Sequence, residues 1–255
     1  MATKFTITPG ADCASAGERA NQLLHGCAHY GSSDLPLFSA GYHELCRVDL
    51  NGGRVLEACC GAGDLAVGLA RVFPRAGIVA MDRYPDNGKA ILEATKSGAL
   101  ENVRFQTGDV LRLTDFADGS LDLVYGQATL HHLAHDTDAV RNEFSRVLKP
   151  GGRLVFIYEP LGHNPLWAMI RAWRTSRGQI PDESNVFIHQ LEDIARGFSA
   201  CDVQVFNLLG YPLKALGDAA GQTVGSLIGR GDRVLMSRWP KLAKEAANFN
   251  AVFTK

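Results

Sequence analysis

No apolar run in this 255-residue chain approaches the ~18 residues that would cross a bilayer. The opening residues, Met1 to Pro9, lack the apolar core of a secretory leader, so the chain is expected to stay in the cytoplasm. No Cys-x-x-Cys pair occurs. The six cysteines (Cys13, Cys27, Cys46, Cys59, Cys60 and Cys201) therefore read as reduced thiols, not as a disulfide framework. Neither sign of charge predominates: 26 basic and 27 acidic residues leave a net charge of −1, too little for a general nucleic-acid binder. Repeats and low-complexity tracts are also missing. With 46% hydrophobic residues, the chain is large enough for one well-buried α/β domain.

What is there begins with Arg54-Val-Leu-Glu57-Ala-Cys-Cys-Gly61-Ala-Gly63-Asp64. An apolar run ends in an acid, breaks into a Gly-x-Gly turn and continues as helical-period sequence, Leu65 to Val72. Glycine lets the backbone approach a ligand that a Cβ would repel, and the helix start offers unpaired N–H groups. The third glycine of the dinucleotide pattern is missing. Glu57 would repel a pyrophosphate and suits a cationic ligand, such as an amino-acid-bearing nucleoside. Taken alone, the turn is equally compatible with a plain strand–turn–helix.

Three further runs follow. Gly77 to Asp82 ends in an acid 21 residues after Gly61. An acid about 20 residues beyond such glycines accepts ribose hydroxyls in nucleotide-binding βαβ units. Val103 to Gln106 leads to Gly108-Asp109, where Asp109 either accepts from an exocyclic amine or closes an Asx turn. Leu121 to Gly126 leads to Gln127 and His131-His132. Helical sequence (Asp138 to Leu148), a Lys149-Pro-Gly-Gly152 turn and a fifth run, Arg153 to Glu159, complete an alternating pattern. Such alternation predicts a parallel sheet with helices on both faces, and ligands there bind at the strands' carboxyl ends.

In order and spacing, these segments resemble the class I S-adenosylmethionine-dependent methyltransferases of small molecules, the group that includes the quinone C-methyltransferases. The residues that carry the resemblance are Val55-Leu56-Glu57, Gly61-Ala62-Gly63, Asp82, Gly108-Asp109, Leu121 to Val124, Leu130-His131-His132-Leu133 and Arg146 to Gly152. The resemblance implies a Rossmann-like, mostly parallel seven-stranded sheet with the last strand antiparallel. It implies S-adenosylmethionine as cofactor and S-adenosylhomocysteine as product. Glu57 would face the methionine amino group, Asp82 the ribose and Asp109 the adenine amine, with Ala58, Cys59, Gly61, Gly63, Arg83, Val110 and Gln127 around them. Cys59 stands where the family usually has glycine, which predicts a slightly different turn.

The organisation expected is one domain over 1–255: an N-terminal helical cap (1–50), the core (53–159), a substrate cap (160–200) and C-terminal strands and helices (201–255). Helices are expected at 16–30, 38–47, 165–176, 188–198 and 232–247, and strands at 202–206 and 249–255. Tyr30, His163, Asn164, Trp167 and Arg171 are candidate substrate contacts, though aromatics there also suit core packing and Arg171, Arg174 and Arg177 also suit a solvated face. Beyond the core, Glu159 to Asn164, these arginines and Asp182-Glu183 match the family more loosely.

Methyl transfer from a sulfonium is an in-line displacement, so holding the reactants aligned supplies most of the catalysis. A base helps when the nucleophile carries a proton. His131, His132 and Glu159 are the candidates, with capping and packing as the alternative roles. His25, Cys27 and His29 make the one metal-like grouping, but a structural zinc wants four ligands and no fourth is evident, so no metal is expected. The partner expected is a small organic molecule, with no nucleic acid and no membrane, for a monomer or homodimer. Rival readings keep the cofactor but change the chemistry, methylate a macromolecule, or make the chain a cofactor-binding regulatory subunit.

Overall fold

A computed structural model describes residues 3–10, 17–26, 35–178, 184–210 and 222–255. Eight strands form one sheet: β1 (Lys4–Pro9), β2 (Arg54–Ala58), β3 (Gly77–Asp82), β4 (Val103–Thr107), β5 (Leu121–Gln127), β6 (Leu148–Pro160), β7 (Ala200–Phe206) and β8 (Asn248–Thr254). Their order is β1-β7-β8-β6-β5-β2-β3-β4. Only β8 runs against its neighbours, inserted between β6 and β7. The strand order reverses at β2, which lies between β5 and β3. A reversal of this kind opens a crevice at the carboxyl ends of the strands.

The central strands are apolar on both sides, as strands covered on both faces must be. Leu56, Ala58, Val124 and Phe156 face one core, shared with Val140 and Phe144 of α6 (Thr137–Val147) and Leu191 and Ile194 of α8 (Ile188–Ala195). Val55, Leu123, Tyr125 and Ile157 face the other. It is built from α1 (Glu18–Gly26), α2 (Leu35–Cys46), α3 (Asp64–Val72) and α4 (Lys89–Lys96). The remaining helices among the described residues are α5 (Leu130–Leu133), α7 (Pro165–Ser176) and α9 (Gln222–Arg238), the last followed by a 3-10 turn over Pro240–Glu245.

Two expectations need correcting. The sheet has eight strands, because Lys4-Phe-Thr-Ile-Thr-Pro9 pairs in parallel with β7 from Lys4↔Ala200 to Pro9↔Val205. That segment alternates and is rich in β-branched residues, a strand pattern. The C-terminal helix starts at Gln222 and stops at Arg238, where Pro240 ends it. The 165–176 helix matches, and the 38–47 helix begins earlier, at Leu35.

Candidate functional site

β2 ends at Ala58, and the chain reaches α3 through a tight turn. Cys60 N–H donates to Met81 O (3.0 Å), Gly63 N–H to Cys60 O (2.9 Å), Gly88 N–H to Gly61 O (2.7 Å) and Ala90 N–H to Ala62 O (3.0 Å). The turn is thus tied to the loop after β3. Asp82 completes the tie: its Oδ2 accepts from Gly61 N–H (2.9 Å) and its Oδ1 from Tyr84 N–H (3.0 Å). Gly61 and Gly63 have φ of 53° and 88°. A Cβ on Gly61 would meet nothing within 4 Å, so the turn opens onto free space there.

The structure carries Cys59 through the left-handed region that glycine favours, at φ 54°. Ala128 (51°) and Asn207 (62°), just past β5 and β7, and Tyr158 (61°), at the register shift within β6, share that conformation. Each costs about 1–2 kcal/mol in a non-glycine residue, and such strain clusters at functional sites. Hydrogen bonds hold two of them: Ala128 N–H to Ile157 O (2.9 Å) and Tyr158 N–H to Asn250 Oδ1 (3.0 Å).

Glu57 is 3% exposed, and its Oε2 has no hydrogen-bond partner among the described residues. Burial pushes its carboxyl up to about 8, and the nearby Asp64 and Asp82 add to the rise. Hydrogen bonds from Tyr125 and from the Ala66 amide in the first turn of α3 pull the other way. Tyr125 is the register partner of Glu57 across β2 and β5. A buried carboxylate oxygen with no partner suits a ligand that brings a cation. Cys59 is pushed up to about 12, by burial first and then by Asp82 and Glu159, while Arg83 lowers it and Asp109 raises it. Those four charged groups surround the same turn. Burial raises the Cys60 thiol too, so both stay protonated near neutrality.

At β4, Asp109 Oδ1 accepts from Leu111 N–H (3.0 Å), which closes the Asx turn. Val110 and Ala58 are core residues, Arg83 is exposed, and Gln127 Oε1 accepts from Tyr42 O–H (2.8 Å). Phe38 is buried and stacked on Tyr158.

Glu159 is fully buried and holds the start of α5. Its Oε1 accepts from the N–H groups of Thr129 (2.6 Å) and Leu130 (2.8 Å), and its Oε2 from His131 N–H (3.2 Å). His131 Nδ1 lies 2.8 Å from Oε2. An ionised Glu159 accepts there from Nδ1–H. Thr129 Oγ1 donates to Ala58 O (3.1 Å), which sets α5 beside the glycine turn. The His132 ring is exposed, its centroid 4.0 Å from that of His131.

The substrate candidates serve the fold in several cases. His163 Nε2 accepts from Ile188 N–H (3.1 Å) and caps α8. Asn164 Oδ1 accepts from Trp167 N–H (2.8 Å), and Nδ2 donates to Leu208 O (2.8 Å) and Glu245 O (2.6 Å). Trp167 packs with Ile170 and Ala247, and Arg171 donates to Asn185 Oδ1 (3.0 Å). Tyr30, Cys27, His29 and the Asp182-Glu183 pair lie outside the described residues. Among the described residues no group of three or more His, Cys, Asp and Glu is placed to hold a metal.

Residues 55–152 match the family described as methyltransferase domain. The match spans β2 to the start of β6, under half of the chain. The domain is 32% identical over 149 residues to the demethylmenaquinone methyltransferase of Lactococcus lactis, an alignment that covers 55% of this chain and 58% of that protein. The fold is similar to two solved structures. One is phosphoethanolamine N-methyltransferase 2 of Haemonchus contortus, in complex with S-adenosylhomocysteine (TM-score 0.57, 19% identity, 93% of this chain and 60% of that one). The other is geranyl diphosphate C-methyltransferase of Streptomyces coelicolor (TM-score 0.56, 13% identity, 100% and 91%). The chain spans less than two thirds of the first curated relatives it matches. Sequence reasoning missed Tyr125, Thr129 and Ala128. The one signal for Tyr125 was a hydroxyl inside an otherwise apolar run.

Proposed function

We propose that the protein is an S-adenosylmethionine-dependent methyltransferase that acts on an O, N or C atom of a small organic molecule. The observation that carries this reading is the buried, unpartnered Oε2 of Glu57 beside a glycine turn tied down by Asp82. The residues fit the cofactor. Glu57 would take the ammonium group, Asp82 the ribose hydroxyls and Asp109 the adenine amine, with Gly61 leaving room for the backbone to approach. Asp82 and Asp109 each keep acceptor capacity, since a carboxylate accepts up to about four hydrogen bonds and Asp82 accepts two. The bound cofactor supplies a sulfonium-activated methyl group. The chain's own part is to align the acceptor and exclude water. His131, with Nδ1 on Glu159, is our candidate to take up the acceptor's proton, and 160–200 our candidate substrate cap.

The reading places the protein in the cytoplasm as a monomer or homodimer. No helix among the described residues is long and apolar enough to cross a membrane. The test is turnover of methyl-labelled S-adenosylmethionine in a metabolite extract, followed by mass spectrometry, with Asp82→Ala as control. A labelled product made only by the unaltered protein supports methyl transfer. Cofactor binding without label transfer turns the reading toward non-methylating chemistry or a regulatory subunit.

A further inference from the structure

α7 is uncharged on its outward side as well as its inward side. Its inward side carries Trp167 and Ile170, packed on Ala247. Its outward side presents Pro165, Ala168, Met169, Ala172, Trp173 and Ser176, all exposed and none of them charged. Met169 and Trp173, four residues apart on one stripe, are 64% and 46% exposed. A solvent-facing helix side ordinarily carries the charges. Here they flank it. Arg171 and Arg174 sit half-buried along the sides, and the Arg177 guanidinium lies 4.4 Å over the Trp173 ring. Residues 165–178 hold these three arginines and no acid.

The surroundings repeat the pattern. Six of the eight exposed large apolar side chains among the described residues lie between 165 and 239. Residues 165–178 and 222–245 together hold eight basic and two acidic residues, against 18 and 25 in the rest of the chain. One of those two acids, Asp232, is buried on the N–H groups of Leu209 and Gly210. In a chain of net charge −1, these two segments carry a net charge of +6.

We propose that the outward face of α7 docks on an anionic lipid surface. Met169 and Trp173 enter the boundary between headgroups and acyl chains, and Arg174 and Arg177 meet lipid phosphates. Apolar and aromatic side chains rimmed by arginine are the signature of helices lying in a membrane interface. A second copy fits worse: face-to-face pairing of two α7 helices would bring six arginines together without an acid. A nucleic acid fits worse too, because the uncharged centre of the face would be set against phosphates. This inference replaces the expectation of no membrane partner.

The test is co-sedimentation of the full chain with vesicles of phosphatidylglycerol and phosphatidylcholine, against phosphatidylcholine alone. The expected result is pelleting with the anionic vesicles at low salt, roughly tenfold weaker without phosphatidylglycerol or at high salt. Met169→Glu and Trp173→Gln should each abolish it, with thermal unfolding and S-adenosylhomocysteine affinity unchanged. No pelleting with anionic vesicles at low salt overturns the proposal. So does pelleting that both variants leave intact, or a vesicle-free dimer in sedimentation velocity that Trp173→Gln dissolves. Lipid binding that persists in a protein without methyl transfer fells the earlier reading and leaves this docking standing.

Discussion

In the ligand-free protein, burial keeps Glu57 protonated through most of the neutral range, with a pKa of about 8 against an ordinary 4.5. The folded chain holds a proton that the unfolded chain releases, so this residue's contribution to stability falls as pH rises from about 4.5 to about 8. Denaturant unfolding at pH 5 and pH 9 should show the loss, on the order of 4 kcal/mol. Glu57→Gln should flatten the slope and weaken cofactor binding. The two glycines of the turn should part company. At Gly63 an added Cβ lies 2.5 Å from Ile91 Cδ1 with φ at 88°, so Gly63→Ala should lower stability by about 2–3 kcal/mol. Gly61→Ala meets open space and carries only the left-handed strain, about 1 kcal/mol. Its methyl group fills the space the ligand needs, so calorimetry should show binding lost in a protein that still folds.

α5 has only four residues and owes its position to Glu159. Glu159→Gln sets an amide NH2 against backbone N–H donors and should cost about 2–4 kcal/mol, read from denaturant midpoints. Asn164→Ala removes the cap of α7 and two long-range bonds, for about 2 kcal/mol in the same assay. The limits of sequence reading show at this scale. Glu57 and Asp82 stood out as candidates because each follows an apolar run, and Asp109 because it comes two residues after β4, at the edge of a parallel sheet where ligands bind. Glu159 was seen as a candidate, yet its partners lie 28–30 residues away, so no local pattern revealed what it holds. The left-handed Ala128 and Tyr158 left no trace, because nothing in their identity asks for that conformation. β1 was missed, its residues having been assigned to a helical cap, and its place beside β7 depends on a pairing 196 residues distant.

At the scale of the whole molecule, a cofactor that bridges β2, β3 and β4 should stabilise the sheet as a unit. S-adenosylhomocysteine at about 100 times its Kd should add about 2.7 kcal/mol. For a chain of this size that is a rise in Tm of roughly 5–10 °C in differential scanning fluorimetry. No rise with a nicotinamide dinucleotide is expected, since its pyrophosphate brings no cation to the unpartnered Oε2 of Glu57. The position of β8 has a consequence for the protein's birth on the ribosome. Residues 248–254 sit between β6 and β7, so neither β7 nor β1 can join the sheet until they emerge. At ~5–20 residues per second, the nascent chain waits on the order of 5–20 s after residue 160 with one edge of β6 unpaired. Over that interval the bare edge is a template for the wrong strand, and chaperones have their opening there.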